Sequence, residues 1–139
     1  MADLSTAFPE VRAILERARN APTMNRIGVA ASRENARKRS THPPREDVAA
    51  VDERAIPGAG GDIRVRIYTP EAGKTLPLVL YFHAGGWILG DLDHSDHLCR
   101  RLANRCGAVV MNVDYRLAPE HQYPAPLDDC ESALRWAVD

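Results

Sequence analysis

The sequence predicts an α/β fold in which a strand hairpin leads into alternating strands and helices. Three observations predict it. Val51–Ile56 and the run Ile63, Val65, Ile67 flank Pro57-Gly58-Ala59-Gly60-Gly61-Asp62, which is strong turn chemistry. Leu78-Val79-Leu80-Tyr81-Phe82 and Ala108–Val113 are short continuous apolar runs, the pattern of strands buried on both faces of a mainly parallel sheet. Helix-period stretches follow each of these two runs, so strand, helix, strand, helix succeed the hairpin.

In chain order, the first element is a helix. Val11, Ile14, Leu15 and Ala18 recur at i, i+3, i+4 and i+7 and so share one face. Pro9 and Glu10 suit its first turn, and Ala21-Pro22 ends it. A second helix is expected from near Ser32 to Arg39 on a weak apolar stripe. Thr41-His42-Pro43-Pro44 then forces an extended linker. These residues, 1–47, read as a helical and charged region distinct from 48–139, which carries the alternating strands and helices. In the hairpin, Arg64, Arg66 and Tyr68 alternate with Ile63, Val65 and Ile67, the period of a half-buried strand. After Leu78–Phe82 a glycine-bearing loop runs from His83 to Asp91. A helix follows from near Ser95, with Leu98, Cys99, Leu102 and Cys106 on one face and Gly107 placed to end it. A proline-bearing loop after Val113 leads to a last helix from about Leu127, with Cys130, Ala133, Leu134 and Ala137 on one side.

Bulk composition excludes several functions. Eighteen basic against nineteen acidic side chains give a net charge of −1, with no pull toward nucleic acid or an acidic membrane. Arg33, Arg37, Lys38, Arg39 and Arg45 cluster, but Glu34, Glu46 and Asp47 interrupt them and no aromatic residue is interleaved, so they read as a solvated helix face. No apolar run is long enough to span a membrane, and the first nine residues lack the basic and apolar regions of a signal peptide. Three cysteines without a CxxC pair argue against a disulfide framework or a zinc site and point to reduced thiols in the cytoplasm.

The chemical signal lies in His83-Ala84-Gly85-Gly86-Trp87. In a parallel sheet, the loop past the carboxyl end of a strand is where ligands bind. Two adjacent glycines there can aim their N–H groups into one small volume, as stabilisation of a developing oxyanion requires. This pentapeptide resembles the HGGGW signature of the hormone-sensitive-lipase family of carboxylesterases. Asp114-Tyr115-Arg116-Leu117-Ala118-Pro119-Glu120-His121, continuing to Tyr123-Pro124-Ala125-Pro126, resembles a second motif of that family. So does Gly90-Asp91 leading into Leu98-Cys99-Arg100-Arg101-Leu102-Ala103.

The resemblance implies an incomplete α/β-hydrolase fold: a leading hairpin plus parallel strands with flanking helices, preceded by N-terminal cap helices over residues 1–47. It implies that the amides of Gly85 and Gly86 form two legs of an oxyanion hole, that His83 braces the loop, and that Trp87 lines or closes the pocket. Ala84 departs from the family's first glycine. If that position requires positive φ, the alanine strains the loop by ~1 kcal/mol or more. The larger departure is that no G-x-S-x-G occurs: Ser5, Ser32, Ser40, Ser95 and Ser132 all lack the flanking glycines. No member of a Ser/Asp/His triad is therefore expected in this chain. The family function is carboxylic ester hydrolysis on a small-molecule acyl ester, with no cofactor, and the chain alone is expected to be inactive. The alternatives are a non-catalytic ligand- or partner-binding fragment and one half of a split esterase. The family's sheet order would put the serine-bearing strand beside Leu78–Phe82. Without it that strand is an apolar edge, open to self-association or to pairing with a C-terminal half.

The remaining polar residues have plainer readings. His94, His97 and His121 sit on separate segments and are not expected to bind metal. Asp114, Asp128 and Asp129 are expected to fix the proline-bearing loop and the start of the last helix by hydrogen bonds. Arg116 and Glu120 are expected to form a local ion pair, and Cys99 and Cys106 to be small core residues.

Overall fold

The computed structural model describes residues 8–19, 21–39 and 44–139, and it divides into two compact units at the Ser32–Arg33 boundary. Residues 1–7 and the linker read over Thr41–Pro43 lie outside the described residues. In the first unit, helix α1 spans Pro9–Arg19 and has no buried residue. Its apolar stripe exists but stands open, with Val11 44% and Ile14 64% exposed. Helix α2 runs Met24–Arg39, eight residues longer than its stripe suggested, and kinks at Gly28, where φ is 79° and ψ 169°. The kink breaks the helical period, so the pattern is legible only beyond it.

The second unit is built on one mixed sheet of four strands. Strands β1 (Ala50–Ile56) and β2 (Ile63–Thr69) form the expected antiparallel hairpin, in register from Ile56 opposite Ile63 to Ala50 opposite Thr69. Strands β3 (Leu78–Phe82) and β4 (Val109–Val113) are parallel, joined by helix α3 (Leu92–Cys106). The order is β1-β2-β4-β3, and β2 pairs antiparallel with β4. Parallel pairing is thus confined to β3 and β4.

Each face of the sheet has its own core. Ile56, Ile63, Val65, Met111 and Val113 meet Tyr115 and, from helix α4 (Ala125–Val138), Ala133. On the other face Tyr68 and Val110 meet Cys99 and Ala103 of α3. The strand expected to be half-buried is therefore covered on both sides at Tyr68, which is fully buried under α3. The apolar run of β3 has the pattern of a strand buried on both faces, but β3 is the edge strand, as expected where no serine-bearing strand pairs with it, with Leu78 43% and Phe82 41% exposed. The strand that matches the buried pattern is β4.

Helix α3 begins at Leu92, three residues earlier than expected, because Asp91 caps it by accepting a hydrogen bond from the His94 amide at 2.8 Å. Gly107, at φ 59°, ends it as expected. Its buried stripe is Leu92, Ser95, Asp96, Cys99 and Ala103. The face read from Leu98, Cys99, Leu102 and Cys106 is rotated from this one, and Cys106 is exposed. The buried stripe includes a serine and an aspartate, which an apolar period cannot reveal. Among the described residues, no helix is long and apolar enough to cross a membrane.

Candidate active site

Phe82 lies in parallel register with Val113, so the loop after β3 and the loop after β4 leave the sheet side by side. His83 is the first residue of the former. Its ring stacks on Tyr115 with centroids 4.3 Å apart and planes 17° from parallel. The Tyr115 hydroxyl donates to the His83 carbonyl at 2.5 Å. His83 Nδ1 lies 3.1 Å from the Ala84 carbonyl, and Nε2 is buried with no partner among the described residues. Burial pushes the Tyr115 phenol up to about 12, so it stays a donor across the physiological range.

Gly85 and Gly86 take φ of 137° and 62°, the region that favours glycine. The Gly85 carbonyl accepts from the amides of Ile88 at 3.2 Å and Leu89 at 3.0 Å, closing a tight turn. A Cβ on Gly85 would stand 2.0 Å from the Leu89 oxygen, whereas one on Gly86 would meet open space. Among the described residues, no group accepts a hydrogen bond from either glycine amide. Ala84 is not at positive φ, so the anticipated strain does not fall on it. The side chain that occupies the left-handed region is Trp87, at φ 59° and 63% exposed. That conformation costs roughly 1–2 kcal/mol for a residue with a Cβ. The loop returns through Gly90, at φ 100°, where a Cβ would stand 2.2 Å from His83 Nδ1 and 2.7 Å from the Ala84 oxygen.

The second loop is locked to the first. The Ala118 amide donates to the Trp87 carbonyl at 2.8 Å. Arg116 does not pair with Glu120 as expected. It turns back to Asp129 at the start of α4, with Nη2 to Oδ1 at 2.7 Å and Nε to Oδ2 at 2.9 Å, and its backbone amide reaches Oδ2 at 2.9 Å. The buried Asp129 is the stronger attractor because three donors of one residue converge on it. Glu120 is held instead by Arg33 of α2, through two contacts of 2.8 Å. The hydrogen bond from Arg33 draws the Glu120 carboxyl down to about 2. Asp114 pairs with Arg64 at 2.7 Å. Asp129 and Asp114 thus do fix this loop.

The solvated reading of the basic cluster fails at Arg33, while Arg45, 60% exposed, is solvated but paired. Arg33 spends its guanidinium on Ile88, Ala118 and Glu120. Arg45 lies 3.0 Å from Asp96, a buried carboxylate on α3. Asp96 also takes Tyr68 Oη at 3.0 Å, Arg100 Nε at 2.9 Å and Arg66 Nη1 at 3.4 Å. No sequence motif marked Asp96 or Arg33, because their partners lie far along the chain.

A groove of about 1140 Å³ runs beside the loop, its lining including Ala84, Gly85, Leu89 and Gly90 together with Arg64 and Asp114. No nucleophile is poised among the described serines: Ser32, Ser95 and Ser132 each donate to the carbonyl four residues back, at 2.7, 3.2 and 2.7 Å. Among the described residues, no three His, Cys, Asp or Glu side chains gather in a metal-binding group, and His94, His97 and His121 are not brought together as one.

Comparison with known proteins places this geometry. The α/β-hydrolase fold family matches residues 79–139. The chain is 44% identical over 115 residues to the esterase LipI of Mycobacterium tuberculosis, an alignment covering 81% of this chain and 36% of the relative. It is 46% identical over 112 residues to the carboxylesterase NlhH of the same species, covering 78% and 35%. Among solved structures it is similar to the hyperthermophilic esterase of the archaeon Pyrobaculum calidifontis, with 42% identity and a TM-score of 0.83 over 95% of this chain and 44% of that one. An ester hydrolase from the metagenome of Lake Arreo gives a TM-score of 0.84 at 36% identity, over 93% and 44%. The chain therefore spans about a third of the length of the curated relatives it matches, and under half of the solved chains. On these likenesses, and on the motifs that carry them, the chain resembles, over part of their length, the hormone-sensitive-lipase-type carboxylesterases of the α/β-hydrolase fold.

Proposed function

We propose that this chain supplies the oxyanion-binding part of a carboxylic ester hydrolase, with the amides of Gly85 and Gly86 as the donors. The observation that carries the reading is that both amides are free of any acceptor among the described residues, in a turn closed by the Ile88 and Leu89 amides on the Gly85 carbonyl and held to the next loop through the Trp87 carbonyl. Donors fixed in advance need no reorganisation when charge develops on a carbonyl oxygen, which is where most of their catalytic value lies. His83, stacked on Tyr115 and buried, is a brace in this reading and not the base. Trp87, exposed at the rim, lines the acyl ester's approach, and Ala84 carries the chain from His83 into the glycine pair. Residues 1–47 are the cap segment and 48–139 the front half of the hydrolase domain. Three free cysteines fit a reducing cytoplasm.

Acyl transfer in this reading runs through a serine that these 139 residues do not contain. The test is to read the coding frame past Asp139 and assay the complete product on p-nitrophenyl acetate and butyrate. Hydrolysis that falls by about 10²-fold in kcat when a backbone ester replaces the Gly86 amide by semisynthesis, which deletes the N–H donor and keeps the positive φ of 62°, is the expected result. Full activity in that variant would sink the donor assignment. The absence of G-x-S-x-G favours a second reading, in which the same scaffold binds a ligand or partner without turnover. That reading takes over if the frame closes without a serine elbow and no second chain restores hydrolysis on mixing. In either case the exposed edge of β3 is where another strand would add, from a C-terminal half or a second copy. A concentration-independent monomer in light scattering would argue against the copy.

A further inference from the structure

We infer that Arg33 is a positioning residue for the glycine loop. This rests on the reading of Gly85 and Gly86 as oxyanion donors and extends it to a residue outside every motif. One guanidinium makes four hydrogen bonds. Nε donates to the Ile88 carbonyl at 2.9 Å and Nη2 to the Ala118 carbonyl at 2.9 Å. Nη1 and Nη2 donate to the two oxygens of Glu120, each at 2.8 Å. Ile88 belongs to the turn closed on the Gly85 carbonyl, and Ala118 is the residue whose amide holds the Trp87 carbonyl. Arg33 therefore grips the far end of the turn whose near end presents the two free amides, and grips the neighbouring loop with the same plane of donors.

The chemistry requires arginine. Two main-chain carbonyls from segments thirty residues apart, and a carboxylate, are satisfied together only by a flat fork with five donors. A lysine would present a single ammonium to one of them. The side chain is 23% exposed, so the pair with Glu120 is partly shielded, while Glu120 itself is 54% exposed. Its worth for folding as a surface ion pair is small. Its worth for the loop is geometric, because the turn's carbonyl outward of the glycines has no other anchor among the contacts described above. A shift of about 1 Å in such donors is enough to cost about 10² in rate in a site of this kind.

Amide hydrogen exchange on the 139-residue chain tests this without any substrate, so failure of the ester-hydrolase reading leaves the result intact. Arg33→Met is expected to speed exchange at the Ala118 and Leu89 amides by about tenfold, and to leave Val110 and Met111 in β4 within about twofold. Acrylamide quenching of Trp87, read in a Trp136→Phe background, is expected to rise in parallel, which a loss of global stability alone would not produce in the native state. Arg33→Lys should follow Arg33→Met. Glu120→Gln keeps both carbonyl contacts and should change exchange by no more than about threefold. These two variants carry the test if Arg33→Met does not fold. Unaltered protection at Ala118 and Leu89, a uniform rise across the sheet, or a Glu120→Gln effect equal to that of Arg33→Met would overturn the assignment.

Discussion

Arg116 and Asp129 face each other as a fork on a carboxylate, Nη2 to Oδ1 at 2.7 Å and Nε to Oδ2 at 2.9 Å, with the Asp129 side chain 1% exposed. The Asp129 carboxylate also receives the Arg116 amide, so one side chain satisfies both the main chain and the charge of its partner. Asp129→Ala is expected to cost about 3 kcal/mol, because it strands a partly shielded guanidinium and an amide together. By contrast the exposed pair of Arg135 and Glu131, at 2.6 Å and one helical turn apart, should cost under about 0.5 kcal/mol when Glu131 becomes Ala. Urea unfolding of the two variants in parallel checks the ratio, and comparable losses would contradict it.

What the sequence could and could not reveal follows from how far each interaction reaches. The hairpin, the β3–α3–β4 unit and the glycine loop were legible because turn residues and hydrophobic periods act over a few residues. Arg116 illustrates the limit. Glu120, four residues on, was the natural local partner, yet Asp129 wins at thirteen residues' distance because it is buried and multiply bonded. Arg33 was indistinguishable from its basic neighbours until a segment 85 residues away came to meet it. The face of α3 was misjudged for a related reason. Asp96 is polar in sequence and central in the fold, made tolerable there by Tyr68 and three arginines. The motif residues of the candidate site needed no such help, since His83, Gly85 and Gly86 lie within four positions of one another.

Asp96 gives the fold an acid limit. Burial alone would raise its carboxyl, but the hydrogen bonds from Tyr68 and Arg100, with the charges of Arg100 and Arg45, outweigh burial and hold it below its ordinary value of 3.8. A carboxyl lowered on folding contributes stability that is present above its unfolded value and lost as the pH falls through its folded one. Glu120, drawn from 4.5 to about 2 by Arg33, has the same sign. Urea midpoints should therefore be flat above about pH 5 and fall below about pH 4. Asp96→Asn should lower the neutral plateau and flatten the acid limb, since the titrating group is gone. An acid limb of unchanged steepness in that variant would place the linkage elsewhere.

The three thiols should separate by reactivity. Cys99 is buried beneath the sheet and its thiol is pushed up to about 12 by burial; Cys130, half-buried on the face of α4 that packs against the core, is pushed up to about 11 for the same reason. Cys106 is exposed at the end of α3. Thiolate, not thiol, is the nucleophile, so a disulfide reagent at pH 8 should label the native chain in one fast step. Cys106→Ser should abolish that step and leave the slow phases, which report opening of the fold. A fast phase that survives the substitution would mean that Cys99 or Cys130 is more accessible than its packing indicates.

Gly86 and Gly90 differ in why each must be glycine, and alanine should tell them apart. Both take positive φ, at 62° and 100°. At Gly86 a Cβ would meet nothing, so Gly86→Ala bears only the conformational cost, about 1 kcal/mol. At Gly90 the same carbon would lie 2.2 Å from His83 Nδ1 and 2.7 Å from the Ala84 carbonyl oxygen. Neither obstacle can yield easily, since the His83 ring is clamped against Tyr115 and the Ala84 oxygen is main chain. Overpacking of this kind adds about 1–3 kcal/mol, so Gly90→Ala should lose about 3 kcal/mol in all and displace the ring. Because that ring stacks on Tyr115, the displacement should also show as a changed near-ultraviolet dichroism of tyrosine in Gly90→Ala and not in Gly86→Ala. Equal stability losses with no dichroic change would mean that the loop accommodates Gly90→Ala by moving as a body, and that His83 is not the rigid floor on which the glycine pair is built.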